Sequence, residues 1–153
     1  VAVVDDDDVA LTEGDVVHLE AGLEVGPGAG AEPEGRAGAH GAAAQGRTHL
    51  LVVSGLAGEP AYAERFHAWA TALLDAARRS GVAPEDATYL AEDPARDPAR
   101  IAGRATRGAV DSALAALARR AGPDDRVLVV LIGHGSGQPG EARLALPGPD
   151  LTA

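Results

Sequence analysis

One histidine in this sequence stands where chemistry is usually done. His134 lies between Gly133 and Gly135, is followed by Ser136, and comes directly after the apolar run Val127 to Ile132. An imidazole titrates near neutral pH and can both take and give a proton. Flanking glycines allow a tight main-chain turn and close approach of a substrate. A glycine-rich turn whose histidine only caps the strand fits the same four residues, so the surrounding elements must decide between the two.

Two other patterns fall away on inspection. Gly135, Gly137 and Gly140 have the spacing of a dinucleotide-binding turn, but Pro139 and the residues after Gly140 do not open the helix that this turn requires. Ser136 is no nucleophile elbow, because His134 and Gln138 occupy the positions where that turn needs glycine. The acidic run Asp5 to Asp8 lacks the glycine and the distal glutamate of a calcium-binding loop and reads as a solvated turn. No metal and no cofactor are expected.

Composition narrows the partners. The 153 residues carry a formal net charge of −10, with 13 basic residues, all arginine, against 23 acidic ones. A chain of this kind offers no basic stripe, so nucleic acid and anionic membrane surfaces are poor partners. Cysteine is absent, which removes disulfides, thiolate zinc sites and a cysteine nucleophile from these residues. No apolar run exceeds six residues, far short of a membrane span. The 34 alanines beside 20 glycines and 10 prolines, with no lysine, asparagine or methionine, have the bias of a GC-rich coding sequence, and a bacterial source is the expectation. Val1 rather than methionine opens the sequence, which leaves the natural start and a removed leader open; the cell envelope or periplasm is favoured over the cytoplasm.

The elements that must position His134 begin after residue 47. His49 to Val53, closed by Ser54-Gly55, reads as a buried strand. Pro60 suits a first helical turn, and Tyr62, Phe66, Trp69, Leu73 and Ala77 recur at helical spacing, with Arg78 and Arg79 favouring the negative end and Gly81 the stop. Ala87 to Ala91 reads as a weaker strand, and Glu92 to Ala105 as a solvated connector. Thr106 is a good N-cap for a helix whose face is Val110, Leu114, Leu117 and Ala121. Gly122-Pro123 ends it before Val127 to Ile132, a central strand covered on both faces.

Strand, helix, strand, helix, strand predicts an α/β fold with a mainly parallel sheet and right-handed crossovers. The expected strands are 49 to 54, 87 to 91 and 127 to 132 in order 2-1-3, with helices 61 to 80 and 107 to 121 on opposite faces. Ligands in such sheets gather at the carboxyl ends where the chain reverses direction, and both Ser54-Gly55 and His134 fall there. Ser54 either lines that cleft or caps its strand. His67 lies off the apolar stripe and reads as solvated; His18, His40 and His49 are assigned no role. Leu144 to Leu146 is either a short arm against Glu141 to Arg143 or a loop.

The domain limits follow from charge and bulk. Residues 1 to 25 form an acidic appendage in which Val1 to Val4 and Val16 to Leu19 have the pattern of a hairpin. Residues 26 to 47 read as a Gly/Ala/Pro-rich linker without large apolar side chains. Residues 48 to 153 form part of an α/β domain.

Thr106-Arg107-Gly108-Ala109-Val110 opening a helix, then Gly122-Pro123-Asp124-Asp125-Arg126, then an apolar strand ending in Gly133-His134-Gly135-Ser136, resemble the caspase, metacaspase and legumain clan of cysteine peptidases. The stretch Leu146 to Ala153 is similar to bacterial members. The resemblance implies a three-layer αβα sandwich, His134 as catalytic histidine, the Gly135 amide in the oxyanion hole, a polypeptide substrate, and a cysteine at the end of the next parallel strand. The 153 residues contain neither that strand nor any cysteine, so as given they are expected to be inert as a peptidase. Ser54 and Gly55 would line the substrate cleft. Two rival readings stand beside it: a catalytically inactive binding module of the same fold, and a sirohydrochlorin-type metal chelatase, in which a similar Gly-His-Gly-Ser carries a metal ligand but follows the first strand.

An apolar strand at 127 to 132 without its expected outer neighbour offers an edge to other chains. The 153-residue chain is expected to self-associate. Size-exclusion chromatography at high concentration checks this, and a sharp monomer peak with little binding of an apolar-surface dye is the result against it.

Overall fold

The structure, a computed structural model, describes residues 46–137 and 142–152. The strand β1 (Thr48–Ser54) is its axis: Leu50, Leu51, Val52 and Val53 are all within 2 % of full burial. Alternate residues of a strand point to opposite faces, and each face has its own helix. Leu50 and Val52 pack with Phe66, Ala70 and Leu74 of α1 (Pro60–Arg79). Leu51 and Val53 pack with Val110 and Leu117 of α2 (Arg107–Arg120). The two helices therefore lie on opposite faces, as the alternating pattern predicts.

On either side of β1 run β2 (Ala87–Ala91) and β4 (Arg126–Ile132), both parallel to it, in registers that set Leu50 opposite Ala87 and Leu128. The predicted order 2-1-3 is this order. A short strand β3 (Gly103–Arg104), parallel to β2, extends the sheet to β3-β2-β1-β4. The fold is thus α/β with a four-stranded, all-parallel sheet between helices. No helix among the described residues is long and apolar enough to cross a membrane.

Local chemistry explains where the helices start and stop. Pro60 opens α1, and Gly81 closes it at φ +92°, a conformation costly for any residue with a Cβ, while its N–H bonds Arg78 O and the Val82 N–H bonds Ala77 O, both at 3.0 Å. Thr106 caps α2 by accepting the Ala109 N–H at 3.3 Å. The buried stripes follow the predicted ones except at one leucine in each helix. Phe66, Ala70 and Leu74 face the sheet while Leu73 is exposed, and Val110 and Leu117 do so while Leu114 is exposed. Alanines bring a helix axis close to a sheet, so each seam centres on Ala70 or Ala113 rather than on the largest side chains.

The segment from Glu92 to Ala105 is not the solvated connector expected. Ile101 and Ala105 are buried, Ala102 and Ala105 donate their N–H groups to Tyr89 O and Ala91 O at 2.8 Å, and Arg96 and Arg100 reach α1 at Glu64 (2.9 Å) and Asp75 (3.3 Å). Two apolar anchors, Ile101 on the α1 side and Ala105 on the α2 side, fold an otherwise polar loop onto the core. Of the two alternatives for Leu144 to Leu146, an arm or a loop, neither describes the structure: Arg143–Leu144 is the middle strand β6 of a small antiparallel sheet with β5 (Gly135–Ser136) and β7 (Leu151–Thr152). Leu144 and Leu146 plug the α2 side of the core, and this burial fixes the pairing.

The folded unit begins earlier than residue 48. Arg47 O accepts the Arg126 N–H at 2.8 Å, and the Arg47 guanidinium sits 2.5 Å from Asp86. A Cβ at Gly46 would overlap the Asp124 carbonyl, so glycine is needed there. The acidic appendage, its hairpin, the rest of the linker, His18 and His40 lie outside the described residues.

The seam of α2 separates two substitutions of the same chemistry. Leu117→Ala is expected to cost about 2–5 kcal/mol, and Leu114→Ala about 0.5 kcal/mol. Urea unfolding of the two variants checks this, and equal costs would restore the stripe read from the sequence.

Candidate functional site at the carboxyl end of the sheet

The histidine singled out by its glycines lies where β4 leaves the sheet. Its ring is held rather than free: Nε2 is 3.2 Å from Ala57 O, the Tyr62 ring stands edge-to-face at 4.6 Å and 85°, and the Phe66 ring at 5.3 Å and 60°. A carbonyl oxygen can only accept, so Nε2 is the protonated nitrogen. In the neutral ring, Nδ1 then carries the lone pair. Ala57 belongs to the loop that follows β1, and Tyr62 and Phe66 to the first turns of α1; His134 is fixed by the crossover next to its own strand.

Glycine is required here for space as much as for flexibility. A Cβ on Gly133 would press on Leu144 Cδ1 at 2.9 Å and on the Gly55 main chain at 3.4 Å, and one on Gly55 would overlap the Ala145 carbonyl. Gly55 donates its N–H to Ile132 O at 2.8 Å, so the two strand ends are joined through main chain alone. The Ala145 N–H bonds His134 O at 3.0 Å. The adjacent Gly135–Leu144 pair is therefore the one without ladder bonds, and the Gly135 amide is not engaged by β6.

Ser54 and Gly55 line a cavity of about 550 Å³ that extends from the β1 loop across the ends of β2 and β3. His134 is not among the residues that line it, so the structure brings Ser54 and Gly55 together in one place and sets His134 in another, with Ala57 touching both. His67 also lines this cavity and is not solvated as its helix position suggested: its side chain is 21 % exposed, stacked on Tyr89 with ring centroids 6.1 Å apart, and 3.7 Å from Asp97. The Glu92–Ala105 segment folds over that flank of α1 and encloses it. Burial raises the Tyr89 phenol above its usual value, against the lowering effect of its hydrogen bond with Ser54.

Sequence reasoning passed over two further groups. Glu92, directly after β2, accepts the Ala57 N–H on Oε2 at 3.0 Å. His49, at the opposite end of the sheet and almost wholly buried, has Nε2 3.2 Å from Asp125 Oδ2 and Nδ1 3.1 Å from Asp86 Oδ1, the latter out of line for a hydrogen bond. The order of strands was the available signal, because parallel neighbours bring residues 49, 86 and 125 to one end and 57, 92 and 134 to the other. Among the described residues no group of three or more His, Cys, Asp or Glu side chains is arranged to hold a metal ion.

Comparison with protein-family models, with curated proteins and with solved structures finds no match to this chain.

Asp125 carries a pH prediction. Its carboxylate accepts the N–H groups of Gly122 (2.9 Å) and Arg47 (2.6 Å) besides meeting His49, and these bonds hold it at about 2, below the ordinary 3.8. A carboxylate depressed in the folded state stabilises the fold above its unfolded value and loses that effect as pH falls towards the folded one. Thermal melts from about pH 5 to pH 2 should show the wild-type Tm falling more steeply than that of Asp125→Asn, which is lower at the start. Parallel slopes would show that the Asp125 bonds contribute nothing to acid unfolding.

Proposed function

We propose that His134 is the proton carrier of a cysteine-peptidase centre of the caspase, metacaspase and legumain type, acting on polypeptide. The observation that carries this reading is the Nε2 contact with Ala57 O, which leaves Nδ1 as the base at the carboxyl end of the sheet, between β1 and β4, where the order of strand addition reverses. A histidine that merely capped its strand would have no need of a carbonyl and two aromatic rings to hold its orientation.

The chemistry follows from the tautomer. Nδ1 takes the proton of a thiol, and the thiolate attacks the peptide carbonyl. The imidazolium formed is stabilised by Ala57 O, and its Nδ1 proton passes to the leaving amine as the C–N bond breaks. Water then attacks the thioester with the same ring as base. The Gly135 amide, unengaged by β6, is the oxyanion donor, and Ser54 and Gly55 line the cavity for a substrate side chain. The thiol is not among these 153 residues, which contain no cysteine.

His134→Ala, made in the protein as its gene encodes it and assayed with a peptide library, is expected to lose about a hundredfold to ten-thousandfold in rate while keeping its fold. Activity near the wild-type rate in this variant overturns the assignment. A wild type that binds peptides without cutting them also overturns it, in favour of a catalytically inactive binding module.

A further inference from the structure

Ala57 is bonded on both sides of its Cα. Its carbonyl accepts from His134 Nε2 at 3.2 Å and from the Glu59 N–H at 2.8 Å, which uses both lone pairs; its N–H is taken by Glu92 Oε2 at 3.0 Å. The residue is 3 % exposed, so an unpaired N–H there would be costly. The loop around it, from Gly55 to Gly58, has glycine at each end, and Gly58 sits at φ +72°. Two glycines make such a loop easy to deform, and something must hold its middle.

The main-chain bonds of Gly55 to Ile132 and of Leu56 to Ala145 hold its first half. The Ala57 N–H has no carbonyl partner and depends on the Glu92 carboxylate, which no cation pairs among the described residues. A bond from an N–H to an ionised acceptor is stronger than an ordinary amide bond. Glu92 reaches Ala57 because β1 and β2 are parallel neighbours, which brings the residues following both strands to the same end.

We propose that Glu92 is a positioning residue for His134: by holding the Ala57 N–H it fixes the carbonyl that sets the tautomer and direction of the imidazole. The proposal rests on the reading of His134 as a proton carrier. Glu92 does not touch the reacting atoms. Its effect runs through one loop residue and is therefore geometric, the same relation that groups behind a metal-bound histidine have to the metal.

The test uses the imidazole ¹⁵N spectrum of His134 in the full chain at about pH 8, where an ordinary imidazole is neutral, with a thermal melt of each variant. The wild type should show the Nε2–H tautomer alone, Glu92→Ala a mixture of both tautomers, and Glu92→Gln, whose amide oxygen still accepts the Ala57 N–H, the wild-type spectrum. In the protein as its gene encodes it, Glu92→Ala should lower kcat about 10–100-fold with KM little changed, and Glu92→Gln should restore it. A folded Glu92→Ala with the wild-type tautomer, or a folded Glu92→Gln with a mixture, overturns the proposal. If Glu92→Ala does not fold, Glu92→Asp, one methylene short of Ala57, takes its place with the same two outcomes. A tautomer that responds to Glu92 in a protein without peptidase activity supports the positioning and overturns the reading of His134, so the two can fail separately.

Discussion

Everything at the carboxyl end of this sheet depends on the burial of β1 on both faces. Four consecutive residues, Leu50 to Val53, are shielded from water by α1 on one side and α2 on the other. A strand covered on both faces is held at a fixed depth between its two helices, and its observed register sets Leu50 opposite Ala87 of β2 and Leu128 of β4. The residues that leave it, Ser54 to Glu59, are thereby delivered at one level, and so are those that leave β2 and β4. The meeting of Ala57, Glu92 and His134 is a consequence of three strand ends brought level by one apolar core.

The two ends of the sheet use different chemistry. At the amino end, Arg47, Asp86, His49 and Asp125 form a chain of charged and polar side chains around the first residues of β1. At the carboxyl end, the strands are joined through glycine main chain, Gly55 to Ile132 and Leu56 to Ala145, with little side-chain bulk between them. The first arrangement secures the sheet and fills its end. Among the described residues, the His134 ring meets the Tyr62 and Phe66 rings and the Ala57 carbonyl.

How much of this was legible in the sequence depended on range. Continuous apolar runs gave β1 and β4, a weaker β-rich stretch gave β2, Thr106 its helix start, and Pro60 and Gly81 the limits of α1, because each is a local effect that acts within a few residues. The parallel direction followed from the alternation of strands and helices, and the order from the graded apolarity of the three strands. The helix faces were read correctly except at Leu73 and Leu114, which are exposed, since size was weighed and the closeness that Ala70 and Ala113 permit was not. The Glu92–Ala105 segment was misjudged because its polar composition outweighed the two apolar residues it buries, Ile101 and Ala105. For the site, the glycines around His134 pointed to the residue, yet its partners did not show: Ala57 lies 77 residues away and has no reactive group, and Glu92 stands 35 residues from Ala57 in a stretch that read as surface.

The partner that orients His134 is a main-chain carbonyl rather than a side chain, and this has consequences for how such a centre can vary. A carbonyl oxygen is present whatever residue occupies position 57, so no substitution there removes the acceptor; only displacement of the loop does. What a change of sequence can alter is the support of that loop: the glycines at 55 and 58, the close contact of Gly55 with Ala145 O, and the carboxylate at 92. The specificity of the arrangement therefore resides in residues that have no chemistry of their own to reveal them, which is why the imidazole could be found by its type and spacing while the rest of the centre required the fold.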